Sequence, residues 1–162
     1  MEKATGSALL QVQLISADEA AAALASDRLL AVLGFGERPP DLPQTSPDPR
    51  VGWVPLSELS APSPTYEAWF GATTVTASVF QDVVLSHNGA VAFGQLRIDE
   101  AEGGLEAATV AAYERILAST QALGYPHLLR IWHVIAGING TSGDLDRYKV
   151  FCRGRHAVLA PL

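Results

Sequence analysis

Apolar and polar positions alternate from Leu9 to Ile15, which predicts a strand, and the alanine-rich run Asp18 to Ser26 predicts a helical turn or two. Leu29 to Leu33 is continuously apolar and is closed by Gly34 and Gly36, the pattern of a buried strand. Thr73 to Ser78 and Val79 to Ser86 are rich in β-branched residues, which favour extended backbone. His87-Asn88-Gly89 then supplies a turn, because asparagine and glycine accept positive φ, and Ala90 to Ile98 forms the returning strand. Helical spacing takes over at positions 105, 108, 112, 116 and 123, predicting a helix from Leu105 to Leu123 with Gly124 placed to cap it. Tyr125-Pro126 turns the chain into a strand from His127 to Ile135, and Asp144 to Ala160 reads as a second helix stopped by Pro161.

The pattern breaks between Glu37 and Pro64, where eight of the ten prolines fall. Proline fixes φ and removes a donor, so this stretch is neither helix nor central strand. It reads as a surface excursion, either a lid or linker or a variable insertion, with Val51 to Val54 pairing at a sheet edge. Three regions follow: a strand and helix over 1–36, a proline-rich excursion over 37–70, and an α/β core over 71–162. Hairpin, helix, strand and second helix in that order predict an α+β layer whose crossover is right-handed and whose helices pack on one sheet face. The other face needs a cover, so a homo-oligomer or a second domain is expected.

Composition narrows the partners. Of 162 residues, 48% are hydrophobic and 17% charged, which suits one packed core. A net charge of −6 argues against reading a phosphate backbone. Cys152 is the lone cysteine, so neither an intrachain disulfide nor a cysteine-based zinc cluster forms. His87, His127, His133 and His156 lack metal-ligand spacing, and no metal site is expected. The N-terminus lacks a signal pattern and no apolar run suits a membrane span, so the expectation is a soluble cytoplasmic protein.

The tail holds the informative motif. It reads Leu128-Leu129-Arg130-Ile131-Trp132-His133, then Gly137-Ile138-Asn139, then Leu145-Asp146-Arg147-Tyr148-Lys149-Val150-Phe151-Cys152-Arg153-Gly154-Arg155. This resembles the chorismatase family, in which a strand of the form L-R-I-W-N precedes an I-N turn and a helix of the form E-R-Y-x-x-F-C-x-G-R. The resemblance covers residues 70 to 160 and includes the Phe93-Gly94 strand and the long helix. It implies a mixed sheet like that of the RidA/YjgF (chorismate-mutase-like) proteins. It also implies hydrolysis of chorismate to pyruvate plus a hydroxybenzoate or dihydroxycyclohexadienoate, without metal or organic cofactor. Members of that family are longer, and the resemblance places the general acid, a glutamate, in a C-terminal half. The expectation is therefore an N-terminal half that is inactive by itself, a fragment ahead of a stand-alone domain or an inactive paralogue. The alternative is a RidA-like trimeric module that binds a small carboxylate, with no turnover or with imine deaminase activity.

Chorismate carries two carboxylates, so a protein that holds it needs paired cations, and arginine's planar fork suits them best. Tyr148, Cys152, Arg155 and Leu159 share one helix face at spacings of four, three and four. Tyr148 and Arg155 match the family's motif, and the substrate-binding role is carried onto them, with the guanidinium expected beside the Tyr148 phenol. Arg147 matches too, although it points about 100° away around the helix. Arg130 matches on the preceding strand and points to either side. An arginine- and tyrosine-bearing helix face is otherwise a solvated surface with snorkelling side chains. His133 stands where the family has asparagine and reads as a hydrogen-bonded core residue. Cys152 reads as a packing residue, Asp99 and Glu100 as solvated, and Trp53 and Trp69 as packing or pocket lining.

Overall fold

A computed structural model describes residues 9–36, 48–55, 66–100 and 103–161. The chain forms two compact units, one from the described residues up to 79 with 84–95, the other from 80–83 with those beyond 96.

The first unit contains β1 (Leu10–Ile15), α1 (Ala17–Ala23), β2 (Leu29–Gly36), β3 (Val51–Pro55) and β4 (Tyr66–Gly71). They build a mixed four-stranded sheet in the order β1-β4-β2-β3, with β4 antiparallel to both neighbours and β3 parallel to β2. Ser16 starts α1 through a capping box: its hydroxyl accepts from the Glu19 N–H at 3.4 Å, and the Glu19 carboxylate accepts from the Ser16 N–H at 2.8 Å. Ala20, Leu29, Val32, Tyr66 and Ala68 form the core, so the wholly apolar run of β2 is an interior strand. At Gly34 a Cβ would lie 2.5 Å from the Trp53 ring, so Trp53 lies close over β2.

Strand β4 is absent from the sequence expectation, which leaves residues 66–70 in the proline-rich excursion. In the structure they are a central strand, with Tyr66 and Ala68 buried and Glu67 half-buried between them. Val51 to Val54 pair at the sheet edge as expected, and residues 37–47 and 56–65 lie outside the described residues.

Arg50 ties off this unit. It donates to the Leu24 carbonyl at 2.8 Å and the Ser26 carbonyl at 3.1 Å, and grips Asp48 through two nitrogens at 3.0 and 2.8 Å. Hydrogen bonds from Arg50 hold the Asp48 carboxyl below the usual carboxylate range. A group whose folded pKa is depressed adds stability above its unfolded pKa and loses it as pH falls through the folded one. Unfolding midpoints in urea are therefore expected to drop on acidification through and below the ordinary aspartate range, and to drop less in Asp48→Asn. An equal acid slope in the two proteins would remove this pair from the account.

A three-stranded sheet follows, β5 (Thr76–Phe80), β6 (Val83–His87) and β7 (Ala92–Gln95), in the order β5-β6-β7. The continuous strand expected over Val79 to Ser86 is broken by a turn at Gln81 (φ 47°) and Asp82 (φ 66°). Two consecutive positive φ values mark a primed hairpin turn, and aspartate tolerates that region through its short polar side chain. The turn at Asn88-Gly89 is where the pattern puts it. The Asn88 side-chain Oδ1 accepts from the Ala90 and Val91 N–H groups at 3.1 and 3.0 Å, and Gly89 takes φ 86°.

The second unit is built on α2 (Gly104–Ala122) and α3 (Arg147–Leu159), which pack on each other, with a small hairpin of β8 (Thr141–Ser142) and β9 (Leu145–Asp146) leading into α3. Helix α2 ends as expected at Gly124, which has φ 79°. The Gly124 N–H donates to the Gln121 carbonyl at 3.1 Å and the Tyr125 N–H to that of Thr120 at 2.7 Å, a Schellman motif. Asp146 caps α3 by accepting the Tyr148 N–H at 2.8 Å, so the helix starts later than the expected Asp144.

The buried stripe of α2 is Leu105, Thr109, Tyr113 and Ser119 rather than the apolar series from 105 to 123. The hydroxyls of Thr109 and Ser119 are satisfied within the helix, by the Leu105 carbonyl at 2.7 Å and the Arg115 carbonyl at 2.6 Å. In an alanine-rich helix several faces are equally apolar, so the packing partner selects the face that is hidden. That partner is α3, which comes close at Gly154.

The expected strand His127 to Ile135 is corrected: the segment pairs with no strand among the described residues. Ile131 and Ile135 pack onto the helical core, while Leu129 is 83% exposed and Val134 54%. β-propensity extends a backbone, but a ladder needs a neighbouring strand to receive its N–H and carbonyl groups. Among the described residues the expected strand–helix–strand crossover is accordingly not closed, and the strands fall into three sheets of four, three and two strands. Among the described residues no helix is long and apolar enough to cross a membrane, and no group of three or more His, Cys, Asp or Glu is arranged to hold a metal ion.

Candidate anion-binding site

Titratable and aromatic side chains of the second unit converge on Phe151 in α3. Helix periodicity puts Tyr148, Cys152 and Arg155 around it, at offsets of three, one and four residues. Helix α2 contributes Tyr113 and the extended segment contributes His133. The Tyr113 Oη and His133 Nε2 lie 2.9 Å apart, and their rings stack with centroids 5.8 Å apart. The His133 ring meets Phe151 edge-on at 4.9 Å. The Arg155 guanidinium carbon stands 5.6 Å from the Phe151 centroid, and the Tyr148 ring lies 6.4 Å from the same centroid.

The electrostatics tie Arg155 to this group. Burial pushes the Tyr113 phenol up, while the charge and hydrogen bonding of Arg155 pull it back. Burial pushes the His133 imidazolium down, and Arg155 pushes it further in the same direction. The result is a cation over an aromatic floor, with the solvent-exposed Tyr148 phenol at the same ring and the buried Tyr113 phenol in the same cluster. Such a set is suited to a planar carboxylate, which takes two parallel bonds from a guanidinium and a further bond from a hydroxyl.

The four residues selected from the sequence separate in space. Tyr148 and Arg155 both lie against the Phe151 ring, and the Tyr113 phenol, hydrogen-bonded to His133, belongs to the same cluster. Arg147 points elsewhere: it pairs with Glu100 at 2.5 Å and donates to the Ala136 carbonyl at 3.0 Å, against the glycines 137 and 140. The Glu100 hydrogen bond raises its pKa further, and Glu100 is an ion-pair partner rather than a freely solvated group. Arg130 is exposed, 5.1 Å above the Trp132 ring. His133 is hydrogen-bonded as expected but is solvent-exposed rather than a core residue, because the segment that carries it runs along the surface of the helices, and Cys152 packs beside the core of this unit.

Tyr113 carried no signal in the sequence, because it lies off the apolar series that defined the helix face. The first unit has its own concavity, an open groove of about 220 Å³ lined by Gln11, Gln13, Ser26, Arg28 and Phe70. Its one cation donates to the Gly71 carbonyl at 2.9 Å, and no second titratable group joins it there, so the chemistry favours the Phe151 cluster.

Comparisons with known proteins agree with the tail motif. A family model described as "Chorismatase FkbO/Hyg5-like, N-terminal" matches residues 67–161. A chorismatase from Streptomyces hygroscopicus is 35% identical over 94 residues, covering 57% of this chain and 27% of the relative. A chorismatase from Streptomyces rapamycinicus is 34% identical over 94 residues, covering 57% of this chain and 28% of the relative. The match thus spans little more than a quarter of those proteins. A chorismatase crystal structure resembles the fold with a TM-score of 0.70 at 23% identity, covering 94% of this chain and 45% of that one.

Proposed function

The chain belongs to the chorismatase family by its match to that family's N-terminal domain, and from this premise we propose that its second unit binds one carboxylate of chorismate through Arg155. The observation that carries the reading is the convergence of Arg155, His133 and Tyr148 on the Phe151 ring, with the Tyr113 phenol hydrogen-bonded to His133. A guanidinium over an aromatic floor presents a bidentate fork to a carboxylate, and the ring of the ligand lies naturally along the aromatic side chains. Tyr148, exposed at the same ring, supplies a second hydroxyl donor.

In the reaction we propose, a general acid protonates the terminal methylene of the enol ether. The resulting oxocarbenium ion takes up water, and the hemiketal collapses to pyruvate and a ring alcohol. The residues described here do the holding, and the acid is contributed from beyond them. Arg155 acts on the ground state and the transition state alike, because the carboxylate it grips does not change charge during protonation. Its contribution therefore falls mainly on substrate affinity.

Titration of the protein with chorismate in a calorimeter, beside a pyruvate-release assay, tests this. One-to-one chorismate binding is the expected result, and pyruvate release is expected only when the acid-bearing portion is present. A protein that binds simple carboxylates such as benzoate or pyruvate as tightly as chorismate, and releases no pyruvate in either form, would instead support a small-carboxylate module of the RidA type.

A further inference from the structure

We propose that the groove of the first unit is a second ligand site, and that it takes a small aromatic monocarboxylate bearing a ring hydroxyl. The sheet explains why a groove lies here. Helix α1 has seven residues, about 10 Å, and is too short to cover the whole sheet face on which it packs. Its cover ends with Ile15, Ala23, Leu24 and Phe70, which pack against the buried core. Beyond Ile15 the same face of β1 carries Gln13 and Gln11, two amides where a covered strand would carry apolar side chains. Gln11 stands directly opposite Phe70 in the β1–β4 register, and Gln13 stands opposite Ala68, on the diagonal to Phe70. Cross-strand neighbours of both kinds lie within reach of an aromatic ring, so the two amides border Phe70.

Arg28 supplies the charge. It is exposed, and hydrogen bonds rather than burial fix it: its carbonyl accepts from the Gly71 N–H at 2.9 Å and its Nε donates to the Gly71 carbonyl at 2.9 Å. Its own N–H donates to Ser26 Oγ at 3.2 Å. The two terminal guanidinium nitrogens have no partner among the described residues, and the neighbouring Asp27 carboxylate is taken by the Thr74 hydroxyl at 3.1 Å. Arg50 donates to the Leu24 and Ser26 carbonyls, which removes the negative dipole ends that would oppose an anion at the end of α1. One guanidinium with a free planar fork suits a carboxylate monoanion better than a phosphate dianion. The Phe70 ring is an apolar wall for an aromatic body, and the glutamine amides, which donate and accept, suit a hydroxyl on it. At about 220 Å³ the groove falls below the roughly 300–1,000 Å³ of sites for drug-sized ligands, so its occupant is smaller.

Proton–nitrogen NMR of the whole chain titrated with para-hydroxybenzoate tests the site, because the side-chain amide signals of Gln11 and Gln13 report it directly. Both are expected to shift saturably. Arg28→Gln removes the charge and keeps a donor for the Gly71 carbonyl, and is expected to weaken binding at least about tenfold, the worth of a bond to a charged group. Gln13→Ala changes an exposed position on an edge strand, and is expected to weaken binding about fivefold, the worth of one neutral bond, with Gln11 as the reporter. Arg155→Leu is expected to leave the titration unchanged, so the groove stands or falls independently of the Phe151 site and of chorismate. Acetate lacks the ring and phosphate lacks the planar carboxylate, and each is expected to bind several-fold more weakly than para-hydroxybenzoate. Amide signals that stay in place, or that move as readily with acetate or phosphate, overturn the proposal. Undiminished binding by Arg28→Gln or by a folded Gln13→Ala overturns it as well.

Discussion

Replacing Gly154 with valine is expected to force α2 and α3 apart and to cost about 3 kcal/mol of unfolding free energy, the upper end of ordinary overpacking. A Cβ at 154 would sit 2.7 Å from the Glu106 carbonyl oxygen and 2.9 Å from the Thr109 Cβ. Neither is the end of a flexible side chain, so only a movement of the helices relieves the clash. Glycine in a helix interior is itself unfavourable by about 1 kcal/mol relative to alanine, and its use here reflects the close approach. Gly154→Ala recovers that propensity and still meets the Glu106 carbonyl, so its expected loss is smaller than that of valine. Urea unfolding followed by circular dichroism measures both. Valine as stable as the parent would show that the helices do not approach at this point.

Arg155→Leu is expected to weaken chorismate binding by at least about 30-fold, because removing one member of a desolvated charge-assisted pair costs about 2–5 kcal/mol. Leucine keeps the apolar contact with Phe151, so the loss reports the guanidinium and not the packing. Arg155→Lys is expected to recover only part, since an ammonium cannot bond a carboxylate with a planar fork. The contrasting substitution is Arg147→Leu. Its Nη2 is held by Glu100 at 2.5 Å and the Ala136 carbonyl at 3.0 Å, so its loss should appear as lower stability with chorismate affinity little changed. Calorimetric titration of the three variants decides the matter. Parent-like binding by Arg155→Leu, with binding lost in Arg147→Leu, would move the carboxylate site from Phe151 to the Arg147 loop.

The separation of Arg147 from Arg155 marks a limit of the motif. Both stand in the same matched run and both are arginines, and helix geometry alone gives only their difference in direction. Where each side chain ends is decided by Glu100 and the Ala136 carbonyl in one case, and by Phe151 in the other. Tyr113 itself was hidden for a related reason. Alanines surround α2 on several sides, so the apolar spacing names a helix but not the face that it buries.

What the sequence determined by itself was local or motif-borne. Asn88-Gly89 turns because those residues tolerate positive φ, α2 stops where Gly124 can take it, and Ser16 opens α1 through a capping box with Glu19. The ordered tail from Leu128 to Arg155 was enough to indicate the family. The tertiary structure decided what depends on distant partners. Tyr66 to Gly71 became a central strand because β1 and β2 flank it, although it directly follows a proline-rich stretch. His127 to Ile135 stayed extended without a ladder, because strand propensity shapes a backbone and only a neighbour completes its hydrogen bonds. The site at Phe151 joins three segments that the sequence keeps apart, and no local preference encodes such a meeting.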